Sequence, residues 1–187
     1  MLDWKELENS CMNCTRCGLC QRRTNVVFGV GNRNADVMFI GEGPGEQEDL
    51  QGIPFVVPAG KLLDDMMSII DLDRNNSYIA NIVKCRPPGN RDPQEDEQLC
   101  CISYLRNQVA LIQPKIIICL GRVAAKRIID PDFRITREHG NWIHRNGIWM
   151  TALYHPSALL RDVSKRPETF EDLLFIRDKI RELEIEL

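Results

Sequence analysis

The stretch Val37-Met-Phe-Ile-Gly-Glu-Gly-Pro-Gly45 places an apolar run of strand length directly before a series of small and rigid residues. The run stops at Gly41, where glycine and proline allow a sharp turn that leaves backbone N–H groups facing a ligand. This pattern is typical of an α/β sheet, in which ligands lie beyond the carboxyl ends of the strands. The residues that follow the other apolar runs are therefore the first candidates for a binding site.

Four apolar runs, this one included, have the character of buried parallel strands: Asp36–Ile40, Tyr78–Val83, Lys115–Leu120 and Ile148–Leu153. Helical patterns lie around them: a short acidic helix over 2–10, then Gly60–Ile70, Pro93–Ile112, Arg122–Ile129 and an amphipathic helix over 167–187. The alternation of strand and helix predicts a three-layer α/β/α fold with a central four-stranded, mostly parallel sheet. Residues 24–34 are expected to add an entry strand and a glycine-rich turn.

Length and composition favour one compact unit. The chain has 187 residues, of which 43% are hydrophobic and 27% charged, so we expect a single domain over 1–187. No run approaches the about 18 apolar residues of a membrane span. The chain begins with acidic residues where a signal peptide would carry basic ones. We therefore expect a cytoplasmic monomer with no membrane partner.

The charge is unevenly distributed. The net charge is −3, yet residues 84–166 carry 14 Lys and Arg against 8 Asp and Glu. That segment is therefore at +6, and the two flanks together are at −9. A basic face for a polyanion such as nucleic acid is one interpretation, and a charge-mixed solvated surface is the other.

The chain has eight cysteines, and four of them form a Cys-x2-Cys repeat at positions 11, 14, 17 and 20. In a reducing compartment this clustering favours a metal or an iron–sulfur cluster over disulfides. A ferredoxin run would have three residues before its last cysteine and a proline after it, and this chain has neither. Cys85 and the pair Cys100/Cys101 are further candidate ligands. A cluster on Cys14, Cys17, Cys85 and one of that pair would make 1–35 an N-terminal iron–sulfur-binding segment, with zinc as the alternative.

Cys119 differs from the other cysteines. It lies inside the apolar run Ile116-Ile-Ile-Cys-Leu120 and is expected to be a small buried side chain.

Polar and aromatic residues stand where the predicted strands end. Glu42 follows the first strand, Asn81 closes the second, His155 follows the fourth, and Phe55 lies in a loop rich in glycine and proline. A carboxylate, an amide, an imidazole and an aromatic ring at one edge of a sheet make a pocket for a flat polar ligand. Each also has a structural interpretation, as a loop hydrogen bond, a turn, a core ring or a structural histidine.

A dinucleotide site is the competing interpretation of the first turn. The spacing over Gly41–Gly45 is G-x-G-x-G, however, and Pro44 removes an N–H where a pyrophosphate needs the start of a helix. The sequence therefore disfavours it.

Four motifs together closely resemble those of the family 4 uracil-DNA glycosylases, the iron–sulfur members of their superfamily: Gly41-Glu-Gly-Pro-Gly-Glu-Gln-Glu-Asp49, Pro54-Phe-Val56 with Ala59-Gly60, Asn81-Ile-Val-Lys-Cys-Arg-Pro-Pro88 and His155-Pro-Ser-Ala-Leu-Leu-Arg161. The resemblance runs from Cys14 to about Arg161. It implies a four-stranded parallel sheet flanked by helices and removal of uracil from DNA, which leaves an abasic site. It also implies a 4Fe-4S cluster on Cys14, Cys17, Cys85 and Cys101.

The resemblance assigns roles in uracil binding. Phe55 stacks on the flipped base, and the Asn81 amide donates to O4 and accepts from N3–H, a pattern that cytosine reverses. His155 donates to O2 as negative charge develops there, helped by backbone N–H groups around Glu42 and Gly43. Gly41 completes the uracil-binding turn.

The resemblance also assigns DNA contacts. Leu159 and Leu160 enter the gap that the flipped nucleotide leaves, and Arg161 binds a phosphate. A cluster beside Cys85 would bring Arg86 and Arg91 near phosphate as well. Core packing is the alternative for the leucines.

The chain departs from related patterns at two positions. Gly43 stands where other superfamily members position water with Asp or Asn, so either Glu42 assists the water or the water adds with little help. Val57 stands where the family usually has glycine, which bears on the pose of Phe55. A related branch bonds covalently to DNA through a histidine near the third cysteine; residues 86–91 contain none, so ordinary turnover is expected.

A non-catalytic iron–sulfur DNA-binding or redox module on the same scaffold is the alternative function. Such a module would need neither Asn81 nor His155, so their joint presence favours the enzyme.

Overall fold

The computed structural model describes residues 1–187 and contains one six-stranded sheet. The strands are β1 (Val30–Gly31), β2 (Val37–Gly41), β3 (Tyr78–Asn81), β4 (Ile116–Leu120), β5 (Ile143–Arg145) and β6 (Ile148–Leu153). Their spatial order is β1-β3-β2-β4-β6-β5, in which the four inner strands are parallel to their neighbours and the outer two are antiparallel.

The helices are α1 (Trp4–Met12), α2 (Glu46–Gln51), α3 (Ala59–Ile69), α4 (Glu95–Ile112), α5 (Arg122–Ile128), α6 (Ile135–Glu138), α7 (Pro156–Arg161) and α8 (Arg166–Glu182). The long helices agree with the predicted ones to within a few residues, except that α8 ends at Glu182 and not at Leu187. The start of α1 is set by a capping box, in which Asp3 and Glu6 satisfy each other's backbone N–H groups.

The two faces of the sheet carry separate parts of the core. In β2 the side chains alternate, so that Met38 and Ile40 belong to the apolar cluster with α1, α4 and α5. Val37 and Phe39 belong to the cluster with α3, α7 and α8. Both faces of β2 are therefore buried, which is why its sequence is a continuous apolar run.

The three-layer α/β/α architecture and the four parallel inner strands are confirmed, but the sheet has six strands, not four. β1 lies in the segment where an entry strand was expected. β5 was not predicted because it has only three residues, two of them exposed, and so shows neither an apolar run nor a clear alternation. Both extra strands are short edge strands that cover the open sides of β3 and β6.

Parallel pairing brings the carboxyl ends of the inner strands to one edge. Gly41 is paired with Asn81, and Leu120 with Leu153. The segments that follow β2, β3, β4 and β6 therefore begin at neighbouring positions. No helix has both the length and the apolar character needed to cross a membrane.

Candidate active site

A cleft of about 530 Å³ opens at this carboxyl edge of the sheet, and we refer to it as the cleft. Its wall includes five predicted site residues: Glu42, Gly43, Phe55, Asn81 and His155. They come from four separate segments of the chain. The prediction that these side chains converge on one pocket is thus matched by their positions.

Gly41 lies directly behind two of them. A Cβ atom added to Gly41 would stand 2.5 Å from Asn81 Oδ1 and 2.5 Å from Phe55 Cζ. Real atoms do not approach so closely, so any side chain here would displace both the amide and the ring. Glycine is required at the end of β2 because of this close approach, and the β2–β3 register creates it by pairing Gly41 with Asn81.

Asn81 lines the cleft and carries an unpaired acceptor. The residue is 2% exposed, and its Oδ1 is buried with no hydrogen-bond partner in the protein. Leaving such a group unpaired costs about 1–3 kcal/mol. A ligand that donates a hydrogen bond to Oδ1 would recover that cost.

Phe55 forms a flat apolar surface beside His155. Its side chain is buried, and its ring centroid lies 5.4 Å from that of His155 with the planes 30° apart. The backbone of Phe55 has φ 52°, a left-handed conformation that is uncommon for a bulky residue. Val57, two residues on, is 70% exposed and does not line the cleft, so it takes no room from a ligand.

A backbone hydrogen bond determines which ring nitrogen of His155 carries the proton. It precedes α7 as its N-cap, and its Nδ1 accepts a hydrogen bond from the Ser157 backbone N–H at 3.0 Å. In the neutral ring the proton must then sit on Nε2. Burial, together with the charge of Arg161, lowers the pKa of His155 to about 4. The ring is therefore neutral at physiological pH and can donate from Nε2.

Glu42 lies among charged groups at the cleft. Burial raises the pKa of its carboxyl, and the charge of Asp92 adds to the effect. Arg122 and the Val123 backbone N–H act in the opposite direction. The carboxylate is thus a stronger proton acceptor than an exposed glutamate.

Gly121 is a site residue that sequence reasoning missed. It follows β4 with φ 92°, and a Cβ atom there would stand 2.8 Å from Glu42 Oε1 and 3.0 Å from His155 Cβ. The available signal was a glycine between an apolar run and a helix, the same pattern that singled out Gly41.

Arg122 and Asp92, which form an ion pair, also line the cleft and were missed.

Only some of the residues predicted to contact DNA are exposed in the structure. Leu159 is 1% exposed and packs in the core with α3 and α8, which favours the core-packing alternative for this residue. Leu160 is 39% exposed, because neighbouring residues of a helix face different directions. Arg161 is exposed and lines the cleft.

The other two arginines have partners within the protein. Arg91 lines the cleft and makes two hydrogen bonds to the Glu97 carboxylate, at 2.9 and 2.6 Å. Arg86 donates to Asn90 Oδ1 at 2.7 Å and does not line the cleft.

Seven of the eight cysteines line a second cavity, between α1, the residues after β3 and α4, which we call the cysteine cavity: Cys11, Cys14, Cys17, Cys20, Cys85, Cys100 and Cys101. The four ligands implied by the resemblance are among them. Cys119 lies apart in β4 and is fully buried, as predicted. No group of three or more metal-binding side chains has the spacing to hold a single metal ion.

Donor groups point at the sulfur atoms of this cavity. The Lys84 backbone N–H donates to Cys101 Sγ at 3.3 Å, and Arg23 Nη1 donates to Cys85 Sγ at 3.5 Å. The Lys84 ammonium is 1% exposed and donates to the neutral Gln108 Oε1 at 2.7 Å. Burial raises the pKa of the Cys85 thiol and raises that of Cys101 to about 11, whereas the contacts from Arg23 and Lys84 act in the opposite direction and favour sulfur that carries negative charge.

Comparison with known proteins identifies the relatives of this chain. The Uracil DNA glycosylase superfamily matches residues 28–175. A type-4 uracil-DNA glycosylase of Archaeoglobus fulgidus is 44% identical over 86% of this chain and 85% of its own length. An enzyme of the same name from Sulfurisphaera tokodaii is 43% identical over 97% of this chain and 84% of its own length. Another, from Thermotoga maritima, is 43% identical over 81% of this chain and 80% of its own length.

Proposed function

This chain belongs to the uracil-DNA glycosylase superfamily, and we propose that it is a DNA repair enzyme of the type-4 class, which hydrolyses the N-glycosidic bond of uracil in DNA. The observation that carries this proposal is the buried, unpartnered Oδ1 of Asn81 on the wall of the cleft. A base presents donors and acceptors along one edge, and such an acceptor is what a base-specific pocket needs.

Asn81 accounts for the choice of base. Uracil carries a donor at N3–H and an acceptor at O4, so it can satisfy both ends of the amide. Cytosine has an acceptor at N3 and a donor at N4 and would leave both ends unpaired. Because unpaired buried groups are costly, such a site rejects the wrong base strongly.

The cleft suits a base taken out of the DNA stack. A glycosylase must extrude its target nucleotide and recover the cost of unstacking in the pocket. Phe55 offers a flat face for stacking, next to the edge that Asn81 reads. Base–aromatic stacking is worth about 1–3 kcal/mol, which offsets part of that cost.

His155 accounts for the chemistry. When the N-glycosidic bond breaks, its electron pair leaves with the base, and charge accumulates on uracil O2. A donor aimed at O2 stabilises this transition state more than the ground state. The neutral ring with its proton on Nε2 is such a donor, and Glu42 and Gly43, whose backbone N–H groups we assign to the same role, line the same cleft.

Water completes the reaction at the sugar. The oxocarbenium-like C1′ takes up water, which loses a proton as the new C–O bond forms. Gly43 has no side chain for this step, so we assign the proton to the Glu42 carboxylate. Its raised pKa supports that role.

We also propose a 4Fe-4S cluster bound by Cys14, Cys17, Cys85 and Cys101. The N–H donors directed at sulfur and the buried Lys84 ammonium, which has only a neutral partner, fit an anionic iron–thiolate group. Zinc would need a compact tetrahedral set of ligands, and the structure shows no such group. When bound, the cluster supplies four iron–sulfur bonds that tie the N-terminal segment to the residues after β3 and to α4.

The partner in this proposal is uracil-containing DNA, single- or double-stranded. Arg161 and Leu160 are exposed near His155, which supports a phosphate contact and a side chain that fills the gap in the stack. We assign secondary phosphate contacts to Arg91 and Arg86. A single-domain, monomeric enzyme in the cytoplasm completes the proposal.

The test is incubation with an oligonucleotide that contains one uracil, followed by alkali, which cuts at abasic sites. We expect cleavage of single-stranded uracil and of U·G pairs, and none of matched strands with cytosine or thymine. Absence of abasic product at stoichiometric enzyme would overturn the proposal. A non-catalytic DNA-binding module would bind these strands and cut none of them.

A further inference from the structure

An arginine outside the cleft holds the loop that carries Phe55. Arg74 donates from Nη1 to the Pro54 carbonyl oxygen at 2.9 Å and from Nη2 to the Phe55 carbonyl oxygen. Its Nε donates to Asp64 Oδ1 at 2.8 Å. All three guanidinium nitrogens are therefore engaged, and two of them hold consecutive carbonyl groups of the loop.

The loop needs such support because of its backbone conformation. Phe55 has φ 52°, which costs a non-glycine residue of order 1–3 kcal/mol unless the surroundings enforce it. Gly60 makes room for the arrangement, since a Cβ atom there would stand 1.8 Å from the Phe55 carbonyl oxygen and 3.3 Å from Arg74 Nη2. The Glu48 carboxylate adds a bond to the Val56 N–H at 3.1 Å.

Arg74 itself is rigidly placed. It lies in the turn before β3, where Asp73 Oδ1 accepts hydrogen bonds from the backbone N–H groups of Asn75 and Asn76. Asn76 in turn accepts from the Asp73 N–H and donates to the Asp71 carbonyl. The same strand ends in Asn81, so the turn is joined to the residue that reads the edge of the base.

We propose that Arg74 is a positioning residue for base recognition, which fixes the face of Phe55 against the edge-reading amide of Asn81. The inference rests on the proposed function. Arg74 does not line the cleft and acts only through the loop. A lysine could not replace it, because a single ammonium does not present the planar fork that reaches two carbonyls and a carboxylate.

The first test is kinetic. Arg74→Ala should lower the single-turnover rate of uracil release by about tenfold or more, since misplacing a substrate-contacting group costs up to about a hundredfold. Affinity for matched DNA without uracil should stay unchanged, because Phe55 is proposed to act on the flipped base. Arg127→Ala is the matched control: Arg127 has a 19% exposed side chain against 26% for Arg74 and bonds to Gln98 and Glu95 away from the cleft. Its rate should equal that of the unmodified protein.

A double-mutant cycle separates positioning from general loss of structure. If Arg74 acts through Phe55, then Arg74→Ala should have little further effect in a Phe55→Ala background. Equal slowing in both backgrounds, or a wild-type rate for Arg74→Ala alone, would overturn the proposal. If Arg74→Ala does not fold, the same cycle is measured with Arg74→Gln, which keeps one hydrogen-bond donor group.

The second test needs no catalysis. Chymotrypsin should cut after Phe55 faster in Arg74→Ala than in Arg127→Ala, because the loop is released. Unchanged cutting in both variants would also overturn the proposal. If the unmodified protein releases no uracil, the proposed function fails while this assay still decides the role of Arg74.

Discussion

Replacement of His155 tests the central chemical step. In the structure Nδ1 is occupied by the Ser157 N–H, and the pKa is lowered to about 4, so the ring is a neutral donor throughout the physiological range. Loss of one such donor costs about 2.7–4 kcal/mol of transition-state stabilisation, or about 10²–10³ in rate. We expect His155→Ala to lower the single-turnover rate by that amount, with DNA affinity nearly unchanged because the bond strengthens only as charge develops.

His155→Asn is the control for the second role of this residue. His155 caps α7, and alanine removes that cap at a cost of about 1 kcal/mol in stability. Asparagine is a good N-cap but too short to replace the Nε2 donor. Both variants should therefore be slow, and only the alanine variant should lose stability in thermal unfolding.

The pH dependence gives an independent check. A neutral donor with a pKa of about 4 predicts no change in rate at the ordinary histidine pKa. A step in the rate near pH 6.5 that disappears in His155→Asn would show that the ring titrates there. The assigned role would also be refuted if His155→Ala and His155→Asn both react within threefold of the rate of the unmodified protein.

The cleft and the cysteine cavity give three further predictions. Because the folded state disfavours protonated His155, stability should be highest above pH 6.5 and fall towards pH 4 by up to about 3 kcal/mol, a loss that His155→Asn should not show in denaturant titrations. Cys85→Ser should lose the brown colour, the bound iron and much of the soluble yield, whereas Cys20→Ser and Cys119→Ser should keep them. Loss of iron in Cys20→Ser but not in Cys85→Ser would instead assign the iron ligands to the N-terminal cysteine repeat. Asn81→Asp should lose its donor to O4 and cut uracil release strongly, and full activity with unchanged preference over cytosine would contradict the assignment.

Much of the fold could be predicted because its inner strands are buried on both faces. β2 and β4 appear as continuous apolar runs and β6 as a largely apolar one, and parallel strands must bring their carboxyl-terminal loops to one edge of the sheet. Glu42 and His155 could therefore be assigned to one pocket without coordinates. β5 could not be predicted, since it gains its order from pairing with β6 and not from its own three residues.

The features that could not be predicted depend on contacts between residues distant in sequence, which no local sequence pattern indicates. Arg74 and Phe55 are 19 residues apart, and an arginine in a polar turn looks like any solvated surface residue. Leu159 and Leu160 are chemically alike, and only the rotation of the short helix α7 decides which one faces the core. The cysteine spacing indicated a common site but did not separate the four proposed ligands from three near neighbours in the same cavity.

Asn81, the proposed base-reading residue, and Cys85, a proposed iron ligand, are only four residues apart. Ile82 and Val83 between them are fully buried, and their N–H groups donate to the carbonyls of Gly41 and Glu42 at 2.9 and 3.2 Å. Under the proposed cluster, loss of iron during purification would release Cys85, which this buried backbone joins to Asn81. We therefore expect iron content to affect base preference, and it should be measured in every batch before mutants are compared.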